Sequence, residues 1–188
     1  MSQFVEAPVD VTFRRMDFAL DAQALPRHWY AQSPSLTHFF NALSGVFPDG
    51  EKYFIDSVRA FEGELRDATL KAQVREFTRQ EGHHTLHHRH FNRLVEGMGV
   101  SMERCADIAK DILNRSRRED SKLMQLAMTA AFEHFTALMG DWLLRQDAAQ
   151  RSDVAPAALP LWMWHAVEET EHKAVAFDVY QASGGGRL

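Results

Sequence analysis

The 188-residue chain has one cysteine, Cys105, and therefore no internal disulfide. No charged opening segment followed by an apolar run is present either, and together these absences predict a reducing, cytoplasmic setting. There is no excess of basic charge: 21 Lys and Arg stand against 26 Asp and Glu, interspersed, for a net charge of −5. Nucleic-acid binding thus lacks an electrostatic footprint. No stretch of about 18 apolar residues occurs. The nearest, VAPAALPLWMWHAV, is short and contains Pro156 and Pro160, so no membrane span is expected in the visible chain. Solenoid repeats and strand alternation through the middle of the chain are also missing. What remains is a 45% hydrophobic chain of a length that buries one core, read as a single domain.

Residues 1–33 mix alternating apolar positions (Val9, Val11, Phe13) with polar ones and carry Pro8 and Pro26, which reads as an extended lead-in wrapping the domain. Ser33-Pro34 supplies a cap and a first-turn proline for a short helix over 34–46 with Leu36, Phe39, Phe40 and Leu43 on its apolar face. Pro48-Asp49-Gly50 reads as a turn into a second helix over about 49–65. A long helix is predicted over about 67–97, stopped by Gly97-Met98-Gly99, and a shorter one over about 102–115 after Ser101. Helices over about 119–149 and 156–181 follow, then a Gly-rich tail at 183–188. The expected class is all-α, with the helical domain spanning 34–182.

One pattern recurs on these helices. Glu81-x-x-His84 and Glu169-x-x-His172 each place a carboxylate and an imidazole on one helical face, because three residues turn the chain by nearly a full circle. With 13 Glu and 10 His in the chain, chance alone yields roughly 0.7 such pairs, so their context carries the argument. Glu133 lies among Ala130, Ala131, Phe132, Phe135 and Ala137, and a charge in such a stretch needs a partner or a metal. Glu51 stands at the head of the helix predicted from 49. His165, four residues before Glu169 and seven before His172, adds a third imidazole on the same stripe. The resulting order, Glu, Glu-x-x-His, Glu, Glu-x-x-His, is a twofold pseudo-repeat. It is the ligand set of helical bundles that hold two metal ions in their core. The candidate metal ligands are Glu51, Glu81, His84, Glu133, His165, Glu169 and His172.

The stretches LPRHWYAQSP, HFFNALSGVFPDGEKYFIDSVR, QEGHHTLHHRHFN, EHFTA and WHAVEETEHKAVAFDVY, covering most of 25–183, resemble the bacterial family labelled predicted metal-dependent hydrolase, within the ferritin-like di-iron carboxylate superfamily. The third histidine makes the last helix similar to that of the di-iron arylamine N-oxygenases. The resemblance implies a ferritin-like bundle that binds metal. It also implies more chain than is visible after GGGRL, since the family usually continues for a substantial further stretch.

Ligand chemistry favours two Fe ions, with Mn or Zn as alternatives: four Glu balance two divalent cations, and no thiolate is present. The function expected is an O2-dependent oxidoreductase acting on a small organic substrate, with an electron donor if it is an oxygenase. A dinuclear hydrolase and a non-enzymatic iron-handling protein are the rival readings, and a homodimer is an open possibility. Phe54, Phe132, Phe135, Trp162 and Trp164 suggest an apolar pocket beside the ligands. Other residues have blander readings. Glu51 could be a first-turn acid favoured by the helix dipole. His83, His87 and His90 point away from the Glu81 stripe and are expected at the surface. His88 returns to the stripe as a satisfied buried histidine, with a ligand or supporting role as the alternative. His134 reads as structural, and Glu168 borders the site face without a histidine at the third position.

Overall fold

The computed structural model describes residues 10–21 and 23–186. Val9 and Pro8 of the lead-in fall outside that range. Among the described residues the chain is all-α, in the order α1 (Pro34–Arg59), α2 (Ala68–Gly97), α3 (Glu103–Glu119), α4 (Lys122–Leu144), α5 (Ala148–Ser152), α6 (Leu159–His172) and α7 (Val175–Ala182). Side-chain caps open the long helices. Ser33 accepts from Leu36 N, Asp67 from Thr69 N and Leu70 N, and Ser121 from Met124 N.

The expected turn at Pro48-Asp49-Gly50 does not form: α1 runs unbroken through it, with Pro48 buried. A proline inside a helix cannot donate to the carbonyl four residues back, here that of Ser44. Asn92 of α2 makes good the loss, its Nδ2 donating to Ser44 O at 2.8 Å. A tertiary contact thus supports a helix that local sequence alone would break. Glu51 accordingly sits deep within α1, and its reading as a first-turn acid falls. The predicted last helix is interrupted after His172, although Lys173 and Ala174 keep helical backbone angles, so the chain continues in nearly the same course. The helix predicted over 119–149 stops at Leu144, and α5 follows as a separate turn capped by Asp147 and Gln150.

Two apolar clusters fill the interior. One holds Trp29, Phe40, Phe91, Val95, Leu161 and Trp162, and the other Tyr53, Val58, Phe77, Leu126, Val175 and Val179. α1, α2 and α4 each pass from one cluster to the other, as do α6 and α7 taken together. Going from the first cluster to the second, α1 and α6–α7 run forward while α2 and α4 run backward. The order is therefore up, down, down, up, and α2 and α4, being parallel, need a crossover. α3 provides it, packing on α1, where Ser116 lies 2.8 Å from the Tyr53 hydroxyl. α4 and α6 approach closely at Gly140, where an added Cβ would meet Ala166 O at 2.9 Å. The described residues among 10–33 carry no helix, and this segment lies across α2 and α6, as the hydrogen bonds from Phe13 N to Glu76 and from Arg14 N to Glu168 record.

Candidate metal centre

Between the two clusters the seven candidates come together, each no more than 4% exposed. Donor atoms of Glu51, Glu81 and His84 lie within 4.8 Å of one another, as do those of Glu81, Glu133 and His172. Glu81 is common to both triads. A third triad joins His84, His165 and Glu169, and a fourth Glu51, His88 and His165.

The electrostatics of this layer demand positive charge. Six of the eight oxygens of Glu51, Glu81, Glu133 and Glu169 are buried without a hydrogen-bond partner, as are His84 Nδ1 and His172 Nε2. Burying an ion uncompensated costs on the order of several kcal/mol, so these groups must share a proton or a cation. Burial and the repulsion of Glu81 push the Glu51 carboxyl well up, and burial and Glu133 do the same to Glu81. Burial pushes Glu133 up to about 7. Burial acts upward on Glu169 too, but His172 and His165 outweigh it and hold that carboxyl well below the usual range. For His172, burial opposes charge, yet Glu133, Glu169 and Glu81 overcome it and raise the imidazole well above its ordinary value. His84 and His88 go the other way, driven well down by burial with His165 adding to it.

Hydrogen bonds outside the layer fix which ring nitrogen each histidine turns inward. Gln80 Nε2 donates to Thr12 O and Glu171 Oε2, so its Oε1 is the acceptor for His172 Nδ1–H at 3.0 Å. In the neutral ring that leaves His172 Nε2 bare, 3.0 Å from Glu81 Oε1 and 3.2 Å from Glu133 Oε2, with hydrogen-bond geometry to neither. His84 Nε2–H donates to Glu168 Oε2 at 3.0 Å, turning a bare Nδ1 toward Glu169 Oε1 at 3.5 Å. For His165 the series of hydrogen bonds begins at Pro48. Because Asn92 Nδ2 serves the freed Ser44 carbonyl, Asn92 Oδ1 accepts from Ser44 Oγ. Ser44 Oγ then accepts from His88 Nδ1–H at 2.8 Å, so His88 Nε2 accepts from His165 Nδ1–H at 2.6 Å. His165 Nε2 is left bare, 2.9 Å from Glu169 Oε1. Two lone pairs at that distance repel unless a cation or a proton lies with them. Three imidazole nitrogens and a ring of carboxylate oxygens thus face one another, a donor set that fits divalent metal ions.

Several sequence readings change. Glu168 is buried and supports His84 from outside, with its own carboxyl pushed by burial to about 7. His87 is buried and His83 half-buried, because the lead-in covers that face of α2: Met16 N donates to His83 Nε2 at 3.0 Å and Met16 O accepts from His87. His90 is likewise half-buried, whereas His134, read as structural, is exposed. His88 is the satisfied buried histidine, and its partner is His165. The support from Gln80, Ser44, Asn92 and Arg14 was not legible as such. Gln80 and Glu168 did carry a signal, each being the polar residue directly before a motif glutamate.

Beside the layer a pocket of about 370 Å³ is lined by Phe39, Phe40, Leu43, Phe47, Phe135, Met139, Trp142 and Trp162, among others, and reaches His165 and Glu169. Of the five aromatics expected beside the ligands, Phe135 and Trp162 line it. Phe54 belongs to the second cluster, Phe132 is exposed, and Trp164 packs edge-on against His84.

Fold and site together define an all-α protein with a buried Glu/His centre able to hold metal ions. The chain belongs to the family described as predicted metal-dependent hydrolase, whose model matches residues 12–188. Neither a curated protein nor a solved structure matches it. No helix among the described residues is long and apolar enough to cross a membrane.

Proposed function

We propose that the chain is a dinuclear non-haem protein of the ferritin-like carboxylate type, that it holds two iron ions, and that it is an O2-dependent oxidoreductase acting on a small organic substrate. The observation that carries this reading is the convergence of unpartnered carboxylate oxygens and bare imidazole nitrogens on two triads sharing Glu81. The up, down, down, up order with one crossover supports a ferritin-like assignment. Glu51, Glu81 and His84 would hold one ion, and Glu133, Glu169 and His172 the other, with His165 as the additional imidazole. Four glutamates balance two divalent charges, which lets the reduced centre rest neutral in a dry interior. Two ferrous ions, when bound, supply electrons for the reduction of O2. Transfer of one oxygen atom to a C–H or N–H bond takes two electrons from the substrate and two from an external donor, and the second oxygen leaves as water with two protons. The chain's own part is to orient the donors, keep bulk water out and present the apolar pocket.

The family description favours a second reading, a dinuclear hydrolase with a metal-activated water as nucleophile. Against it, the ionisable side chains lining the pocket, His165 and Glu169, already belong to the proposed ligand set, leaving no separate acid or base there among the described residues. The test is anaerobic loading with ferrous iron, desalting and elemental analysis, followed by air. About two irons per chain, with an oxo-bridged absorption band and O2 uptake, is the expected result. Tenacious zinc with ester cleavage independent of O2 would establish the hydrolase instead. Iron oxidation and release with no turnover of any organic compound would mark an iron-handling protein.

A further inference from the structure

The pocket that reaches His165 and Glu169 is unusual in what its walls omit. Among the described residues no Lys or Arg lines it, and the side-chain polar groups there are the Thr136 hydroxyl, the Trp142 and Trp162 indoles, and the His165 and Glu169 pair at the buried end. The rest is aromatic and aliphatic. An anionic substrate would find no counter-charge and would face Glu169, while a cation would lose its hydration against aromatic walls beside a centre already neutralised by metal. Its volume of about 370 Å³ is that of a small-molecule site. The outer rim is apolar as well: Phe39, Leu138 and Trp142 are each 53% exposed and Phe135 62%. Large apolar side chains held in water around one opening mark a place where apolar material is received. The inner end is narrowed by Phe47, which packs on both His88 and His165 at ring-centroid distances of 4.9 and 4.8 Å.

We infer that the substrate is an uncharged hydrophobic molecule, aryl or alkyl, that enters between α1 and α4 past Phe39, Phe135, Leu138 and Trp142 and presents one end to the His165 and Glu169 side of the centre. The inference rests on the reading of the Glu/His layer as the reacting centre. Polar recognition of a carboxylate or phosphate on the substrate is absent from it. Selectivity comes from shape and apolar burial.

The test uses the purified full chain and two fluorescent probes that share one apolar body, neutral N-phenyl-naphthylamine and its sulfonated analogue anilinonaphthalene sulfonate. Expected are one neutral probe bound per chain and binding of the sulfonate weaker by about tenfold or more, the cost of burying an unpaired charge. Leu43→Trp, which fills the pocket, and Leu138→Glu, which charges its exposed rim and leaves the interior intact, should both weaken the neutral probe. Ile112→Glu, equally exposed but on α3, should not. Equal affinity for both probes, or indifference to both pocket variants in protein of unchanged helicity, overturns the inference. Metal content measured on the same samples separates the two claims. Two ions without probe binding sinks the pocket alone, whereas probe binding without metal sinks the centre and leaves the pocket as a binding site.

Discussion

In the first half of the bundle His84 turns Nδ1 inward and gives its Nε2–H to a carboxylate, Glu168; in the second His172 turns Nε2 inward and gives its Nδ1–H to an amide, Gln80. The two supports are exchanged between halves. Gln80 directly precedes Glu81 on α2 yet orients the histidine of α6, and Glu168 directly precedes Glu169 on α6 yet orients the histidine of α2. Each Glu-x-x-His motif therefore supplies two donors inward and one prop for its opposite. Identical spacing produces inequivalent halves because the prop is an ionisable carboxyl on one side and a neutral amide on the other. The lead-in ties the props together: Arg14 makes two hydrogen bonds to Glu171, lies 3.7 Å from Glu168, and Glu171 in turn accepts from Gln80.

Loss of a ligand should have the largest effect. Glu81→Ala deletes the residue common to both triads and should abolish binding of both ions. Glu133→Ala and His172→Ala should lower occupancy sharply, and His83→Ala should leave it unchanged. Elemental analysis after ferrous loading reads all four, and equal metal retention throughout would end the assignment.

Acidity gives the next largest effect. Glu51, Glu81 and Glu133 have raised carboxyls and His172 a raised imidazole, so in the metal-free protein this cluster retains protons to higher pH than free side chains do, and an ion must displace them, whereas the His84 imidazole is lowered. Affinity should then climb with pH by up to about tenfold per unit for each proton released. Calorimetry in buffers of different ionisation enthalpy counts those protons. The linked stability has a definite sign. A carboxyl raised from 4.5 to about 7, like Glu133, stabilises the metal-free fold below 4.5 and loses that contribution as pH rises through 7. The lowered histidines, still partly protonated in the unfolded chain at pH 6.5, oppose this, while the raised Glu51 and Glu81 carboxyls add to it. Metal-free protein should thus melt lower at pH 8 than at pH 6.5, and metal should reverse the trend.

Smaller effects should come from the props. Loss of an outer partner typically costs 10- to 100-fold in metal affinity. Glu168→Gln keeps an acceptor for His84 while removing the ionisable carboxyl that distinguishes the halves. It should sit at the low end of that range, about tenfold, and draw the two iron signals of a Mössbauer spectrum together. Gln80→Leu, which removes the acceptor, should cost more and act on the His172 side. Arg14→Ala, at a half-exposed position, should have the mildest effect and touch both sides. If Glu168→Gln and Gln80→Leu perturb the same ion, the exchanged arrangement is wrong.

Much of the ligand set was legible because helical periodicity is a local property: a Glu and a His three apart share a face whatever surrounds them. The same locality misled at Pro48-Asp49-Gly50, where a strong turn signal lost to a contact from Asn92, 44 residues further on. It misled again at His83 and His87, exposed by periodicity but covered by an irregular segment with no period to read. The sequence by itself determined an all-α chain and nominated four carboxylates and three imidazoles for one centre, since spacing, composition and charge need no partner. The tertiary structure alone decided which ring nitrogen each histidine offers, which residues hold it there, and where the apolar pocket opens. Those depend on hydrogen bonds and walls drawn from helices far apart in the chain, and no local pattern encodes them.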